Sequence, residues 1–292
     1  MVKRVLVIGA AFVDVIVNVP QLPTAGGDVT GMPVSSVVGG CAFNVDGALR
    51  RTEVSSDLLV PVGQGQYAEV VRQAMAAKHI PLLLQVQGVD NGWDLCMVEP
   101  NGERTFLTVP GVEQKWEPAW FEKLPLSQYD YVYLSGYEAE DEAATTVILD
   151  VLAQKAPQAT LLFDASPRIK HIQPAILARL LSPGVMIHCN QDELAFMAKE
   201  TDRQSRLKAL YHLTQQPVML TLGAQGTCLF DDQGERIIPA EKVNVVNTIG
   251  AGDTHCGGVL AGLALGQPID EAVQLGNHLA ALVVQQVAGR LD

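Results

Sequence analysis

The sequence of 292 residues predicts an α/β protein, a three-layer α/β/α sandwich whose mostly parallel central sheet lies between helices, with a small β-sheet appended either as a lid over a cleft or as a decorative extension. Three features carry this. Short apolar runs rich in leucine or β-branched residues recur along the chain. Amphipathic segments of helical period separate several of them. Two early stretches alternate in the manner of hairpins instead.

The first run, RVLVIG (4–9), follows a short basic start; it is too short for a secretory leader and meets Asp14 with no cleavage site before it, so it reads as a strand. Further strands are expected at DLLVPVG (57–63), YDYVYLSG (129–136), ATLLFDAS (159–166), GVMIHCN (184–190) and QPVMLTLG (216–223). Helices are expected at YAEVVRQAMAAKHI (67–80), DEAATTVILDVLAQKA (141–156), ILARLL (176–181), DELAFMAKET (192–201) and QSRLKALYHLTQQ (204–216). The strand–helix alternation is clearest from Tyr129 onward. Residues 15–40 and 93–112 show alternation, Pro and Gly punctuation and an Asn-Gly turn signal, which predicts a small antiparallel sheet. Its lid segments run over about 15–40 and 90–110. No repeat or linker divides the chain, so residues 1–292 read as one domain.

A formal charge of −12 excludes a basic footprint for nucleic acid or an anionic membrane, and no apolar run is long enough to span a bilayer. The five cysteines are scattered without a CxxC pair, which suits a reducing cytoplasm and argues against a zinc site. The six histidines show no metal spacing, and His255 reads as helix surface.

The stretch NTIGAGDTHCGGVLAGL (247–263) raises a chemical question. A strand-like KVNVVN (242–247) precedes it, and small apolar residues at helical spacing follow. Gly250, Ala251 and Gly252 would form the first turn of a helix. Their amides point outward without side chains to block an anion. Asp253 in that turn is an odd neighbour for an anion unless it acts on something adjacent. In phosphoryl transfer the amides would stabilise the moving phosphoryl group, and the carboxylate would accept the proton of an attacking hydroxyl. A glycine-rich packing turn with a capping aspartate fits the same residues.

This stretch resembles the C-terminal signature of the ribokinase (PfkB) family of carbohydrate and nucleoside kinases, and it fits that signature from Asn247 through Leu260. The resemblance implies a ribokinase-like fold with Asp253 as catalytic base and Gly250, Ala251 and Gly252 as anion hole. It extends along the whole chain. AFVD places Asp14, and GGCAFN places Gly39, Gly40 and Asn44, at substrate hydroxyls. LSGYEAE aligns Glu138 more loosely with a further substrate-facing position. NQDE is similar to the family's N-x-x-E, in which Asn190 and Glu193 lie at the phosphates, Glu193 ordering magnesium through water. TLGAQG sets Thr221, Gly223 and Gly226, with Thr248, around the nucleotide. DASPR resembles the D-x-N-x-R of some sugar-acid kinases, so Arg168 is expected at phosphate or an acidic substrate. The family further implies ATP and Mg²⁺ as cofactors, a small-molecule sugar or nucleoside substrate, and a homodimer through the lid.

Four departures limit what is carried over. Asp46 stands where the signature has a small residue, and RRTEVSS after it lacks a glycine. GQGQYAE replaces G-x-D-x-x-G. Asn247 replaces an aspartate associated with a monovalent cation, and VAGRLD stops before the loop that completes that cation's site; a potassium requirement is therefore not carried over. GQGQYA (63–68) also reads as a G-x-G-x-x-A dinucleotide fingerprint, with Asp90 downstream, which keeps an NAD(P)-dependent oxidoreductase open. A non-catalytic sugar-binding protein is a third reading.

Overall fold

In the computed structural model, residues 2–286 and 288–291 are described, and they fold as two compact units, one of residues 2–9, 41–59, 115–286 and 288–291 and one of 10–40 and 60–114. In chain order the strands are β1 (Val5–Ile8), β2 (Phe12–Asn18), β3 (Met32–Gly39), β4 (Ser56–Leu59), β5 (Pro61–Val62), β6 (Leu84–Gln85), β7 (Trp93–Val98), β8 (Arg104–Val109), β9 (Tyr131–Ser135), β10 (Thr160–Asp164), β11 (Val185–Cys189), β12 (Val218–Thr221), β13 (Thr227–Asp231) and β14 (Gly234–Ile238). The α-helices are α1 (Cys41–Arg51), α2 (Gln66–Ala77), α3 (Gly136–Ala139), α4 (Glu142–Lys155), α5 (Pro174–Leu180), α6 (Gln191–Met197), α7 (Arg203–Thr214), α8 (Ala251–Ala264) and α9 (Ile269–Val283).

The larger unit is built on an eight-stranded sheet in the order β14-β13-β12-β11-β10-β9-β1-β4. Every pairing from β12 to β4 is parallel, and β13 and β14 continue the sheet antiparallel. Strands β1, β9 and β11 are buried along their whole length, which is why they read as continuous apolar runs rather than alternating ones. Helices α8 and α9 pack backbone to backbone, since a Cβ on Gly258 would lie 2.7 Å from the Cα of Gly276. Asp141 caps α4 and Asp202 caps α7 by accepting the third amide of each helix.

Asp46, one of the departures, is fully buried in α1 and holds three partners: Arg50 at 2.8 Å, Ser56 at 2.9 Å and Arg290 at 3.2 Å. Its charge is met from three elements, which is how a carboxylate persists there. Beside it, Leu291 joins the apolar cluster of Ala48, Leu279 and Val283.

The smaller unit carries a four-stranded sheet, β3-β2-β7-β8, the pair β5-β6, and α2. The hairpins β2–β3 and β7–β8 are antiparallel as expected, but the central pair β2–β7 is parallel, so the sheet is mixed. Its bounds are wider than the expected segments, because α2 and β5-β6 belong to it.

Three expectations are corrected. DLLVPVG divides between β4 and β5, in different units, at Pro61, whose nitrogen has no proton for a ladder. KVNVVN forms no strand: Val245 and Val246 are exposed, and the amides of Val246 and Asn247 both go to the carbonyl of Val284. The sheet continues past β12 through β13 and β14, joined at Asp232–Gln233, and neither was anticipated.

Candidate active site

Helix α8 begins at Gly250, whose φ of +71° lies in the left-handed region, and a Cβ there would come within 1.8 Å of the Gly289 carbonyl. A glycine is therefore required by backbone and space together. Gly252 differs: a Cβ on it would meet only the His188 ring, at 3.8 Å. The first turn thus offers amides on a face the protein leaves open, as a phosphate site needs. Ala251 opens the helix between them.

Asp253 follows on this turn. Its Oδ2 accepts a 2.8 Å hydrogen bond from the side-chain amide of Asn44 in α1. Burial and then the charge of Asp164 push its carboxyl up to about 6, against hydrogen bonds from Asn44 and Cys41 and the charge of His188, which pull it down. Glu138, only 8% exposed in α3, accepts a 2.7 Å hydrogen bond from the Ser135 hydroxyl. Burial raises it to about 7, with Asp253 adding to the rise. Gly9, at the end of β1, makes room for it; a Cβ on Gly9 would lie 3.0 Å from Glu138 Oε1. Asn44, Glu138 and Asp253, far apart in sequence, therefore meet at the ends of β1, β9 and α1.

Asn190 and Glu193 cap α6 reciprocally: the Asn190 side chain accepts from the Glu193 amide at 2.9 Å, and Glu193 Oε2 accepts from the Asn190 amide at 2.8 Å. Burial raises the Glu193 carboxyl. The motif thus builds its own helix start and leaves an oxygen-rich corner, the donor chemistry magnesium prefers. Thr221 ends β12 and bonds the Cys189 carbonyl at 3.3 Å. Gly223 (φ +57°) and Gly226 (φ +99°) turn the chain back into β13; a Cβ on Gly226 would lie 2.1 Å from the Ile238 carbonyl. Thr248 precedes α8, and its carbonyl accepts from the Ala251 amide at 3.3 Å. Arg168, in the turn Pro167–His171, pairs with Glu140 at 3.2 Å and lies over the Tyr137 ring.

A cleft of about 1020 Å³ opens beside α6, lined by Gln191, Leu194, Arg203, Leu220, Arg236 and Ile237. Its arginines are committed, Arg203 to Glu235 and Arg236 to both Asp231 and Asp270. Size alone does not make it the reacting centre.

In the smaller unit, Asp14 lies on β2 against Gly39, whose Cβ would fall 2.8 Å from Asp14 Oδ2. Gly40 has φ +100°, and a Cβ there would meet the Ala10 carbonyl at 2.6 Å. Burial and then Asp94 push Asp14 to about 7; burial also raises Asp94, its register partner on β7. The GQGQYA segment is closed to a pyrophosphate. Asp90 occupies the start of α2, its oxygens accepting the Tyr67 and Ala68 amides at 3.2 and 2.7 Å. A dinucleotide fingerprint would keep those amides for the ligand.

The sequence reading missed four groups: Cys41, Asp94, Asp164 and His188. Asp164 and His188 sit at or near the ends of neighbouring parallel strands, where ligands of such sheets gather, and that placement was the available signal. His255 is buried rather than surface: it bonds Thr227 at 2.9 Å and stacks on His188 with centroids 5.0 Å apart. Asp164, His188 and Cys256 place an oxygen, a nitrogen and a sulfur within 4.8 Å of one another. That mixed set suits a softer ion than magnesium, and two of its members are already bonded to each other.

The sequence profile described as pfkB family carbohydrate kinase matches residues 2–292. An uncharacterized sugar kinase of Escherichia coli, YegV, is 36% identical over 98% of this chain and 90% of its own. An ATP-dependent ribose-1-phosphate kinase of Halopiger xanaduensis is 24% identical over 98% of this chain and 94% of its own. Among solved structures, a ribokinase from Thermotoga maritima superposes with a TM-score of 0.85 over 99% of this chain and 95% of its own; at 19% identity it speaks for the fold alone.

Proposed function

The chain belongs to the pfkB family of carbohydrate kinases, phosphotransferases with an alcohol acceptor, and from that premise we propose that it transfers the γ-phosphoryl group of ATP to a hydroxyl of a sugar, sugar derivative or nucleoside. The observation that carries the reading is Asp253 in the first turn of α8, half-buried, held by Asn44, and directly after the exposed Gly252.

Asp253 acts as general base. Its carboxyl is raised to about 6, which leaves it ionised at neutral pH yet basic enough to take the acceptor's proton. Asn44 holds one of its two oxygens by a hydrogen bond. The amides of Gly250, Ala251 and Gly252 receive the charge that develops on the phosphoryl group. Asn190, Glu193, Thr221, Gly223, Gly226 and Thr248 hold the nucleotide. Magnesium, ordered through water by Glu193, would neutralise phosphate charge. Asp14, Gly39, Gly40, Asn44 and Glu138 bind acceptor hydroxyls, and Arg168 an acidic group. The sheet of the smaller unit serves as a lid, and copies of the chain pair through it. Five free thiols suit action in the cytoplasm.

The test is ADP release with ATP and magnesium across a panel of sugars, sugar acids and nucleosides. A turnover at least a hundredfold above ATP hydrolysis for one acceptor supports the reading. No turnover with any member, while ATP binds normally, counts against it.

A further inference from the structure

Asp164 and His188 are register partners on β10 and β11. The His188 ring, 3% exposed, places Nδ1 2.7 Å from Asp164 Oδ1, and the Tyr133 hydroxyl donates to Asp164 Oδ2 at 3.1 Å. The ring lies beneath Gly252, the residue before Asp253, with 3.8 Å between its Cε1 and a Cβ built there. Nε2 is buried without a hydrogen-bond partner among the described residues. An imidazole kept only to fill space would gain from an apolar replacement.

We propose that His188 is a positioning residue for Asp253: held on Asp164 under the first turn of α8, its imidazolium offsets the buried Asp164 charge that would otherwise favour a proton on the Asp253 carboxylate. The inference rests on Asp253 as the base.

The charges around Asp253 give His188 this role. Cys41 on α1, Tyr133 on β9, Tyr137 on α3 and Cys256 within α8 are all pushed up by burial, so they stay neutral through the physiological range. Glu138 on α3, raised to about 7 by burial, adds negative charge as it ionises. Asp164 repels a second carboxylate, and His188 offsets that repulsion. Burial alone would lower the His188 imidazole. The charge of Asp164 and its hydrogen bond outweigh burial, with Glu193 and Asp253 adding, and the ring is raised. Without His188, Asp164 faces Asp253 as an uncompensated like charge, and such carboxylate pairs hold a proton between them.

The experiment follows the Asp253 carboxyl by carbon-13 NMR in the ligand-free protein, in wild type, H188Q, D164N and the double variant. In H188Q the titration should move up by about one pH unit or more, the size of a lost close counter-charge. In the double variant it should return to, or below, the wild-type position. The acid limb of kcat should follow the same order. An unshifted titration in H188Q, or a double variant whose shift adds to the single ones, overturns the proposal. Should H188Q fail to fold, wild type still decides: proton–nitrogen NMR should show His188 keeping both ring protons to a higher pH than a free imidazole, and a ring that loses one earlier than a free imidazole overturns it. An acceptor panel with no turnover would sink the kinase reading while leaving the carboxyl titration to judge the pair.

Discussion

The side-chain amide of Asn44 donates to Oδ2 of Asp253 at 2.8 Å, across 209 residues of chain. One helix start thus orients the carboxylate of another. Asp253→Asn keeps the shape and loses the proton acceptor. We expect kcat to fall about 10²–10⁴-fold, with acceptor and nucleotide KM little changed. Because Asp253 is raised to about 6, wild-type kcat should fall as pH drops through that value. A folded Asp253→Asn variant within a few-fold of wild type would remove it as base.

Glu138 ties stability to pH. Its folded carboxyl is raised to about 7 from an ordinary 4.5, so between those values the folded state holds a proton that the unfolded chain has released. Stability should therefore fall as pH rises through this window. Glu138→Gln removes that penalty. Its melting temperature should exceed wild type at pH 8, by the equivalent of about 1–3 kcal/mol, and not at pH 4.5. Acceptor KM should rise in the same variant. Equal melting differences at both pH values would argue against a buried titration.

Gly65→Val tests the second reading of GQGQYA. Gly65 has φ +151°, and a Cβ there would lie 2.2 Å from Asp90 Oδ2. The substitution should lower stability by displacing the Asp90 cap, while calorimetry on wild type shows ATP–magnesium binding and no NAD or NADP binding. Tight NAD binding to wild type, lost in Gly65→Val, would restore the oxidoreductase.

For the lid, hydrogen exchange of residues 15–40 and 90–110 should slow when acceptor and a nonhydrolysable ATP analogue are added together. Exchange unchanged in both segments would leave the small sheet without that role.

Much of the fold was legible because buried parallel strands announce themselves as unbroken apolar runs. The turn at Gly250 was legible for a different reason: few residues but glycine survive its φ and the Gly289 carbonyl. KVNVVN misled because β-branched alternation reports propensity alone, and here the Val246 and Asn247 amides go to the Val284 carbonyl and to no ladder. Asp164 and His188 escaped notice because a polar residue inside a buried run looks the same whether it is merely satisfied or placed for chemistry. Only the register across β10 and β11 shows them as partners.

Gly250 and Gly252, two positions apart, would separate under mutation. The first is walled by backbone, and at the second a Cβ meets only the His188 ring at an ordinary van der Waals distance. A library of variants sorted for solubility or heat resistance would reject almost every change at Gly250 and pass many at Gly252. Sorted for growth that depends on making the phosphorylated product, the same library would reject both. The gap between those two survivor lists would trace the outline of the phosphate from genetics alone.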